Sequence, residues 1–232
     1  MGAPVIGLLD CAGVRLQESV DALEGMGQIY AKQTAASGAV PQISAVFGSC
    51  GGGLAVASAL CDFTYMETEK GRLFVNSPDA IADNNVSKCD TAKADFQAAN
   101  TGVVDAAGTE DEILADIREL VGMLPLNNEG DVYTDECADD LNRACESMDA
   151  MKGDPRYLLS EISDSHTFFE TKAGYARDMV TGFIKLNGMT VGAVANCTTV
   201  YDEEGKESEK FDNVLSAKGC EKAAAVSYTH LR

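Results

Sequence analysis

Short apolar runs alternate with segments of helical periodicity in the first half of the chain. Residues 4–10 (PVIGLLD) and 40–48 (VPQISAVFG) are apolar runs of strand length, as expected of strands buried on both faces of a parallel sheet. Between them, residues 16–37 place apolar side chains on one face of a helix, and Gly38 suits the end of that helix. This order predicts a strand, a helix and a second strand.

The same alternation continues as far as residue 124. A glycine-rich turn leads into a helix of small residues at 52–60, and Thr109 is placed to cap a helix with an acidic first turn. The strands predicted between these helices are 62–66, 71–76 and 101–108. Repeated alternation predicts an α/β fold with a mainly parallel sheet.

From residue 125 the pattern changes. Residues 125–154 are polar, acidic and rich in turn formers, which predicts a linker. A second unit follows, with a β-hairpin over 179–196 around an Asn-Gly pair, the type I′ turn dipeptide, and a helix within 209–225. The last seven residues, VSYTHLR, do not continue this pattern. We expect them to be foreign to the fold, and the alternative is a frayed native C-terminus.

Composition restricts the possible functions. Hydrophobic residues make up 45% of the 232 residues, which is enough for a packed core. The net charge of −19 argues against the basic surface that nucleic acids require and against binding to anionic membranes. No apolar stretch approaches the ~20 residues of a membrane-spanning helix. We therefore expect no nucleic-acid partner and no direct membrane insertion.

The eight cysteines indicate a reducing compartment rather than a disulfide scaffold. None of them forms a C-x-x-C pair, and a chain with only two histidines predicts no zinc site. No signal peptide is recognised, so we expect a cytoplasmic protein with free thiols and no metal.

The stretch FGSCGGGLAVASALCDF, residues 47–63, has two interpretations. In the first, Cys50 is the nucleophile of a G-x-C-x-G elbow, which needs a histidine base. The chain offers only His166, beyond the linker, and His230, in the unusual tail. In the second, the glycines at 51–53 open a helix whose backbone N–H groups bind a thioester oxygen. The glycines alone fit a tightly packed turn equally well.

A second turn, DCAGVR at residues 10–15, follows the preceding strand. In a parallel sheet both turns lie at the carboxyl ends of strands, where ligands bind. Two N–H donors that face each other from these turns would form an oxyanion hole.

Several motifs in order resemble one family. DCAGVRLQESVDAL, SGAVPQISAVFGSCGGG, CDFTYM and LFVNSPDAI resemble the carboxyltransferase subunits of biotin-dependent acyl-CoA enzymes. These include propionyl-CoA carboxylase beta subunits and the alpha subunits of methylmalonyl-CoA and glutaconyl-CoA decarboxylases. TGVVDAAGTEDEIL is similar to a strand and helix of the wider crotonase superfamily, and FFETKAGYARDMVTGFIKLNGMTVGAVAN resembles the start of the family's second domain.

The resemblance implies an α/β fold of the ClpP/crotonase type with ββα repeats. It divides the chain into an N-terminal carboxyltransferase domain at 1–124 that lacks its first strands, an acidic linker at 125–154, the start of a C-terminal crotonase-like domain at 155–225, and a non-native tail at 226–232. In the family, the N-terminal domain of one subunit faces the C-terminal domain of another, so a homo-oligomer is expected.

The resemblance also implies the site residues. The family's DSGGAR loop matches residues 10–15 and places one backbone donor at Val14, where the family has a smaller alanine. Its CAGG loop matches residues 50–53 and places the other donor at Gly52 or Gly53. The implied substrate-binding residues are Gly13, Arg15 and Gly51.

Three positions in these loops carry further expectations. Cys50 matches a cysteine common in the family and is expected to be a packed thiol. Gly51 stands where the family often has alanine. Arg15 either supports the loop or forms a surface salt bridge.

The implied chemistry is transfer of a carboxyl group between carboxybiotin and the carbon alpha to a CoA thioester. The oxyanion hole stabilises the enolate, and the biotin ureido nitrogen is the expected base, so no side-chain acid or base is needed. Acyl-CoA is the expected substrate. Biotin is expected on a partner, a biotin carboxyl carrier protein that acts with biotin carboxylase or decarboxylase subunits.

Two alternatives stay open. A crotonase-fold acyl-CoA hydratase, isomerase or hydrolase would need an acid or base near the glycine-rich helix, where Val56 and Ala57 stand. The other alternative is an inactive fragment or assembly domain. It stays open because the family's second domain carries its own glycine-rich loop for biotin, and no matching segment occurs in these residues. We therefore expect no turnover from this polypeptide alone.

Overall fold

The computed structural model describes residues 2–80, 89–131, 136–146, 148, 152–202 and 204–230. The chain divides into two compact units. Unit 1 comprises the residues up to Val121 together with Leu126–Glu129, and unit 2 comprises Gly122–Pro125 and residues 130–231. Domain boundaries at 124 and 154 stay a prediction.

Unit 1 is built on a parallel sheet. Its strands are β1 Val5–Cys11, β2 Gln42–Gly51, β3 Phe63–Glu67, β4 Arg72–Phe74 and β5 Ala106–Gly108. They pair in parallel in the order β1-β2-β3-β5, and β4 also pairs with β2. The helices are α1 Ser19–Ala36, α2 Gly53–Ala59, α3 Ala94–Phe96 with a π turn over Gln97–Thr101, and α4 Glu110–Met123. The prediction of an α/β fold with a parallel sheet is confirmed.

Two boundaries show how local chemistry sets these elements. The strand predicted at 101–108 is short, because Gly102 ends the π turn in the left-handed conformation at φ +66° and only β5 pairs with β3.

The predicted cap of α4 is confirmed. The Thr109 N–H donates to Glu112 Oε2 at 2.8 Å and the Glu112 N–H donates to Thr109 Oγ1 at 3.3 Å, which is a capping box.

β2 is the buried centre of unit 1, whereas β1 is exposed. Val46 and Cys50 of β2 are completely buried in the core cluster. Within the described residues β1 pairs only with β2, and its Val5 and Leu8 are 54% and 60% exposed. The prediction that residues 4–10 are buried on both faces is therefore wrong for this structure. An apolar run indicates a strand, but the strand is buried only if other elements flank it.

The helix predicted at 16–37 is confirmed as α1, but its apolar face is only partly covered. No residue of α1 is buried, and Leu23 is 68% exposed. A largely apolar cavity of about 360 Å³ separates α1 from β1 and β2, with Leu9, Ile29 and Leu54 among its lining residues.

Unit 2 consists of antiparallel strands and two helices. The strands β6 Phe168–Thr171, β7 Met179–Leu186 and β8 Met189–Asn196 pair in that order, and β9 Thr199–Tyr201 pairs with β10 Glu207–Lys210. The helices are α5 Pro155–Ile162 and α6 Ala217–His230. The helix predicted within 209–225 starts only at Ala217, because its first residues belong to β10. Residues 226–230 of the predicted tail continue α6, and the last two residues lie outside the described residues.

The hairpin predicted over 179–196 is confirmed as β7 and β8. Asn187 and Gly188 have φ of +53° and +76°, as a type I′ turn requires. The Asp164 carboxylate accepts hydrogen bonds from both of their N–H groups, at 3.0 and 2.7 Å. This carboxylate fixes the turn that sets the register of the two strands.

Most of the described part of the predicted linker belongs to unit 2, whereas Leu126–Glu129 belong to unit 1. Residues 132–135, 147 and 149–151 lie outside the described residues. Arg143 donates to the carbonyl oxygens of Glu161 and Ser163 at 2.8 and 3.0 Å and pairs with Asp139 at 3.1 Å. Part of the linker is therefore fastened to the end of α5.

The Tyr65 hydroxyl predicts a stabilising substitution. Tyr65 of β3 is 1% exposed, and its hydroxyl has no hydrogen-bond partner in the described part of the chain. An unpartnered buried polar group costs about 1–3 kcal/mol. Tyr65→Phe should therefore raise the free energy of unfolding by about 1 kcal/mol in urea denaturation. Tyr175→Phe is the control with the opposite sign, because the Tyr175 hydroxyl donates to Glu221 at 3.1 Å. A destabilised Tyr65→Phe variant would contradict the expectation.

Lys222 predicts a pH-dependent stability of unit 2. Its side chain is 1% exposed, and Nζ donates to the Tyr175 carbonyl oxygen at 2.8 Å. Burial lowers its pKa to about 8, although the carboxylates of Glu170 and Asp178 oppose the shift. The unfolded chain then binds more protons than the folded chain between pH 8 and the ordinary lysine pKa of about 10.4, so stability should rise with pH in that window.

The variant Lys222→Met isolates this contribution. Urea denaturation at each pH should give this variant a higher free energy of unfolding than the natural chain at pH 7. The difference between the two proteins should disappear as the pH rises toward 10. Equal slopes for the two proteins would show that Lys222 does not titrate in this range.

Candidate functional site

Two turns meet where β1 and β2 end. Cys11 at the end of β1 lies opposite Cys50 near the end of β2. Beyond this pair the two turns approach each other closely, because a Cβ atom built on Gly51 would lie 2.2 Å from the carbonyl oxygen of Ala12. A Cβ on Gly13 would lie 3.7 Å from the Gly51 carbonyl oxygen. The structure therefore brings residues 10–15 and 50–53 together.

The three successive glycines have different surroundings. Gly51 faces Ala12 and Phe74, whose Cε2 would lie 2.7 Å from an added Cβ. Gly52 has open space around it but adopts φ +60° and ψ −132°, which a side chain rarely allows. Gly53 begins α2, and a Cβ there would lie 2.8 Å from the Tyr30 hydroxyl.

The backbone donors of the two turns are not equivalent. The Gly52 N–H donates to the Phe74 carbonyl oxygen at 3.0 Å and is therefore occupied. Among the described residues, the N–H groups of Gly53 and Val14 have no hydrogen-bond acceptor. Val14 is 38% exposed. Two unpartnered donors, one on each turn, are thus available.

Arg15 forms the surface salt bridge. Its Nη1 lies 3.1 Å from Glu18 Oε1, and the two side chains are 74% and 53% exposed. A pair this exposed contributes little to stability. Its guanidinium remains accessible to a ligand at the edge of the turn.

Cys50 is a buried thiol. It belongs to the core cluster and is completely buried. Burial, together with the nearby Cys11 and Cys61, raises the pKa of the Cys50 thiol to about 11. At neutral pH the group is protonated, whereas a nucleophile must be a thiolate. Since both histidines follow residue 121, unit 1 also supplies no imidazole base.

Side chains of α1 hold the start of α2, and sequence reasoning missed their role. The Tyr30 hydroxyl donates to the Gly53 carbonyl oxygen at 2.6 Å, and Gln33 Nε2 donates to the Ala57 carbonyl oxygen at 2.6 Å. The available signal was their spacing of three residues, which places both polar groups on one face of a helix. The Tyr30 contact holds Gly53, the residue that carries the free N–H.

The described residues hold no group of three or more His, Cys, Asp and Glu side chains arranged for a metal ion. No helix among them is both long and apolar enough to cross a membrane.

Comparison with known proteins gives consistent matches. A family model described as the carboxyl transferase domain matches residues 1–226. The propionyl-CoA carboxylase beta chain of Roseobacter denitrificans is 38% identical over 206 residues, and the methylmalonyl-CoA decarboxylase subunit alpha of Veillonella parvula is 36% identical over 207 residues. These matches cover 84% of this chain but only 40% and 41% of the two relatives. The chain thus spans about two fifths of the length of these relatives.

A solved structure agrees in fold. The crystal structure of transcarboxylase 12S, described as a hexamer with methylmalonyl-coenzyme A and methylmalonic acid bound, superposes with a TM-score of 0.76 at 30% identity. The match covers 84% of this chain and 40% of that one. The crotonase-like fold class predicted from the sequence is confirmed.

The contact at Gly51 predicts a destabilising substitution. In Gly51→Ala the new methyl group would meet the Ala12 carbonyl oxygen at 2.2 Å, and a backbone atom cannot move aside without shifting the turn. We expect a loss of about 1–3 kcal/mol in the free energy of unfolding. Gly25→Ala is the control, because it lies in α1 with nothing within 4 Å, and it should be neutral or stabilising by about 0.5–1 kcal/mol. A neutral Gly51→Ala would mean that the turns do not need this contact.

Proposed function

The chain belongs to the carboxyl transferase domain family, and on that basis we propose that it acts in the transfer of a carboxyl group between carboxybiotin and the α carbon of an acyl-CoA thioester. The observation that carries this proposal is the pair of unpartnered N–H groups of Val14 and Gly53 on adjacent turns. In the proposed reaction these donors bind the thioester oxygen as it becomes an enolate.

Backbone donors suit this chemistry because the charge on the oxygen develops during the reaction. Donors that are already in position need no reorganisation when the enolate forms, and removal of one such donor has cost about 3–4 kcal/mol in a comparable site. The Gly52 hydrogen bond to Phe74 and the Tyr30 hydrogen bond to Gly53 hold the second turn on both sides of its donor. This arrangement favours Gly53 over Gly52 as the donor.

The residues around the turns fit a reaction whose base comes from outside unit 1. Cys50 is buried and protonated, and the space at Gly52 is open. Biotin on a partner protein would supply the carboxyl group and the proton acceptor. The chain's own part is to bind the acyl-CoA, to orient its carbonyl and to stabilise the negative oxygen. Gly13, Arg15 and Gly51 are proposed to border the thioester.

The substrate and partners follow from the relatives. The matched proteins are named for propionyl-CoA and methylmalonyl-CoA, so we propose a short acyl-CoA. The proposed partners are a biotin carboxyl carrier protein with biotin carboxylase or decarboxylase subunits. We propose assembly into a homo-oligomer because the similar transcarboxylase 12S is described as a hexamer. A cytoplasmic location is proposed on the eight free cysteines.

The alternative of a hydratase, isomerase or hydrolase is less well supported. Such an enzyme needs an acid or base beside the glycine-rich helix, and α2 presents the apolar Val56 and Ala57 there, the second of which is buried. That these residues alone give no turnover stays a prediction, so the test uses binding.

The proposal predicts that Gly53→Pro removes one donor with little other change. Proline lacks the N–H and is well accepted at the first position of a helix, which Gly53 occupies. Calorimetric titration should show about tenfold weaker binding of propionyl-CoA, the loss of roughly one hydrogen bond, and unchanged binding of S-propyl-CoA, a thioether without the carbonyl oxygen.

Gly53→Ala is the matched control. It adds the same Cβ near the movable ends of Tyr30 and Met26 but keeps the N–H, so it should bind both ligands as the natural chain does. If the natural chain does not distinguish the thioester from the thioether, the proposed oxyanion hole is wrong.

A further inference from the structure

The ladder between β1 and β2 is interrupted just before the two turns. Leu9 lies opposite Val46, but the next pair is Cys11 with Cys50, so a single residue of β1 stands against three of β2. That single residue is Asp10. The strand pairing alone therefore does not fix how the end of β1 lies relative to the end of β2.

The Asp10 side chain spans this interruption. Its Oδ1 accepts a hydrogen bond from the Ser49 N–H at 3.0 Å. A Cβ on Gly48 would lie 2.0 Å from Asp10 Oδ1 and 2.3 Å from its Cγ, so the carboxylate occupies the space that a side chain at residue 48 would fill. A hydrogen bond from a backbone N–H to a charged acceptor is a strong one.

We propose that Asp10 is a positioning residue that sets the Val14 and Gly53 N–H groups relative to each other. Asp10 lies four residues before the first donor, and its partner Ser49 lies four residues before the second. The contact thus joins the two turns at equal distances along the chain from their donors. The role of these donors in binding an oxyanion rests on the proposed function above, but their placement by Asp10 does not.

Two variants remove the contact from opposite sides. Asp10→Ala deletes the acceptor, and Gly48→Ala expels it by filling its space, at a position whose backbone does not require glycine. Asp10→Asn retains an acceptor oxygen of the same shape and should restore the natural behaviour. In the Asp10→Ala background the Gly48→Ala change should have no further effect, because the space is then free.

Asp62→Ala is the matched control. The Asp62 carboxylate accepts the Gln42 N–H at 2.8 Å, which is the same kind of contact at the opposite end of β2. It should lower stability without changing the turns.

The first measurement is made on the ligand-free chain. In ¹H–¹⁵N NMR spectra, Asp10→Ala and Gly48→Ala should shift the Val14 and Gly53 amide signals and speed their hydrogen exchange, whereas Asp10→Asn and Asp62→Ala should not. Unchanged signals in Asp10→Ala would overturn the proposal, and so would equal changes in Asp62→Ala.

The second measurement separates this inference from the proposed function. The preference for propionyl-CoA over S-propyl-CoA should fall about tenfold in Asp10→Ala and remain in Asp62→Ala. If the amide signals move but the natural chain shows no such preference, the positioning by Asp10 is supported and the proposed function is overturned. If the preference exists and Asp10→Ala retains it in full, Asp10 does not position the donors.

Discussion

The arrangement of unit 1 depends on β2 being paired on both sides. Its first half lies between β1 and β3, and its last residues pair with β1 and β4. Because the buried backbone groups of the strand are satisfied in this way, its end is a fixed point in the fold. The Gly52 N–H extends the pairing by one more hydrogen bond, to Phe74. Gly53 is the first residue beyond the ladder, and its free N–H is a direct consequence of where the ladder stops.

The acidic character of the chain has a structural use beyond solvation. Carboxylates accept backbone N–H groups at several points where elements begin, end or cross. The pairs are Asp10 with Ser49, Asp62 with Gln42, Asp105 with Thr64, Asp154 with Arg156, and Asp164 with Asn187 and Gly188. Each carboxylate takes a donor that would otherwise lack a partner at the end of a strand, turn or helix. A net charge of −19 therefore includes charges that fix the backbone as well as charges on open helix faces.

The sequence predicted which segments form helices and strands, but it did not predict which other elements pack against them. Apolar spacing predicted α1 and β1 correctly as a helix and a strand, because it reflects the periodicity of each element. It failed for the burial of both, because burial depends on elements that pack against them. The two turns were found because their residues match a family pattern in order. The choice between Gly52 and Gly53 was out of reach, since it depends on the Phe74 carbonyl oxygen, which β4 brings from elsewhere in the chain. Asp10 was missed for the same reason, because its partner is a backbone group on another strand.

The glycine run shows why a motif that is ambiguous as sequence can be specific as structure. Gly51 lacks a side chain because a neighbouring backbone carbonyl fills the space, and Gly52 because the chain reverses at positive φ, whereas Gly53 begins the helix with its carbonyl oxygen held by the Tyr30 hydroxyl. These constraints belong to three successive steps: the end of a strand, the reversal and the start of a helix. A tight turn and an oxyanion-binding turn are thus not competing interpretations of these residues. The close packing at Gly51 and the reversal at Gly52 leave Gly53 with an unpartnered donor.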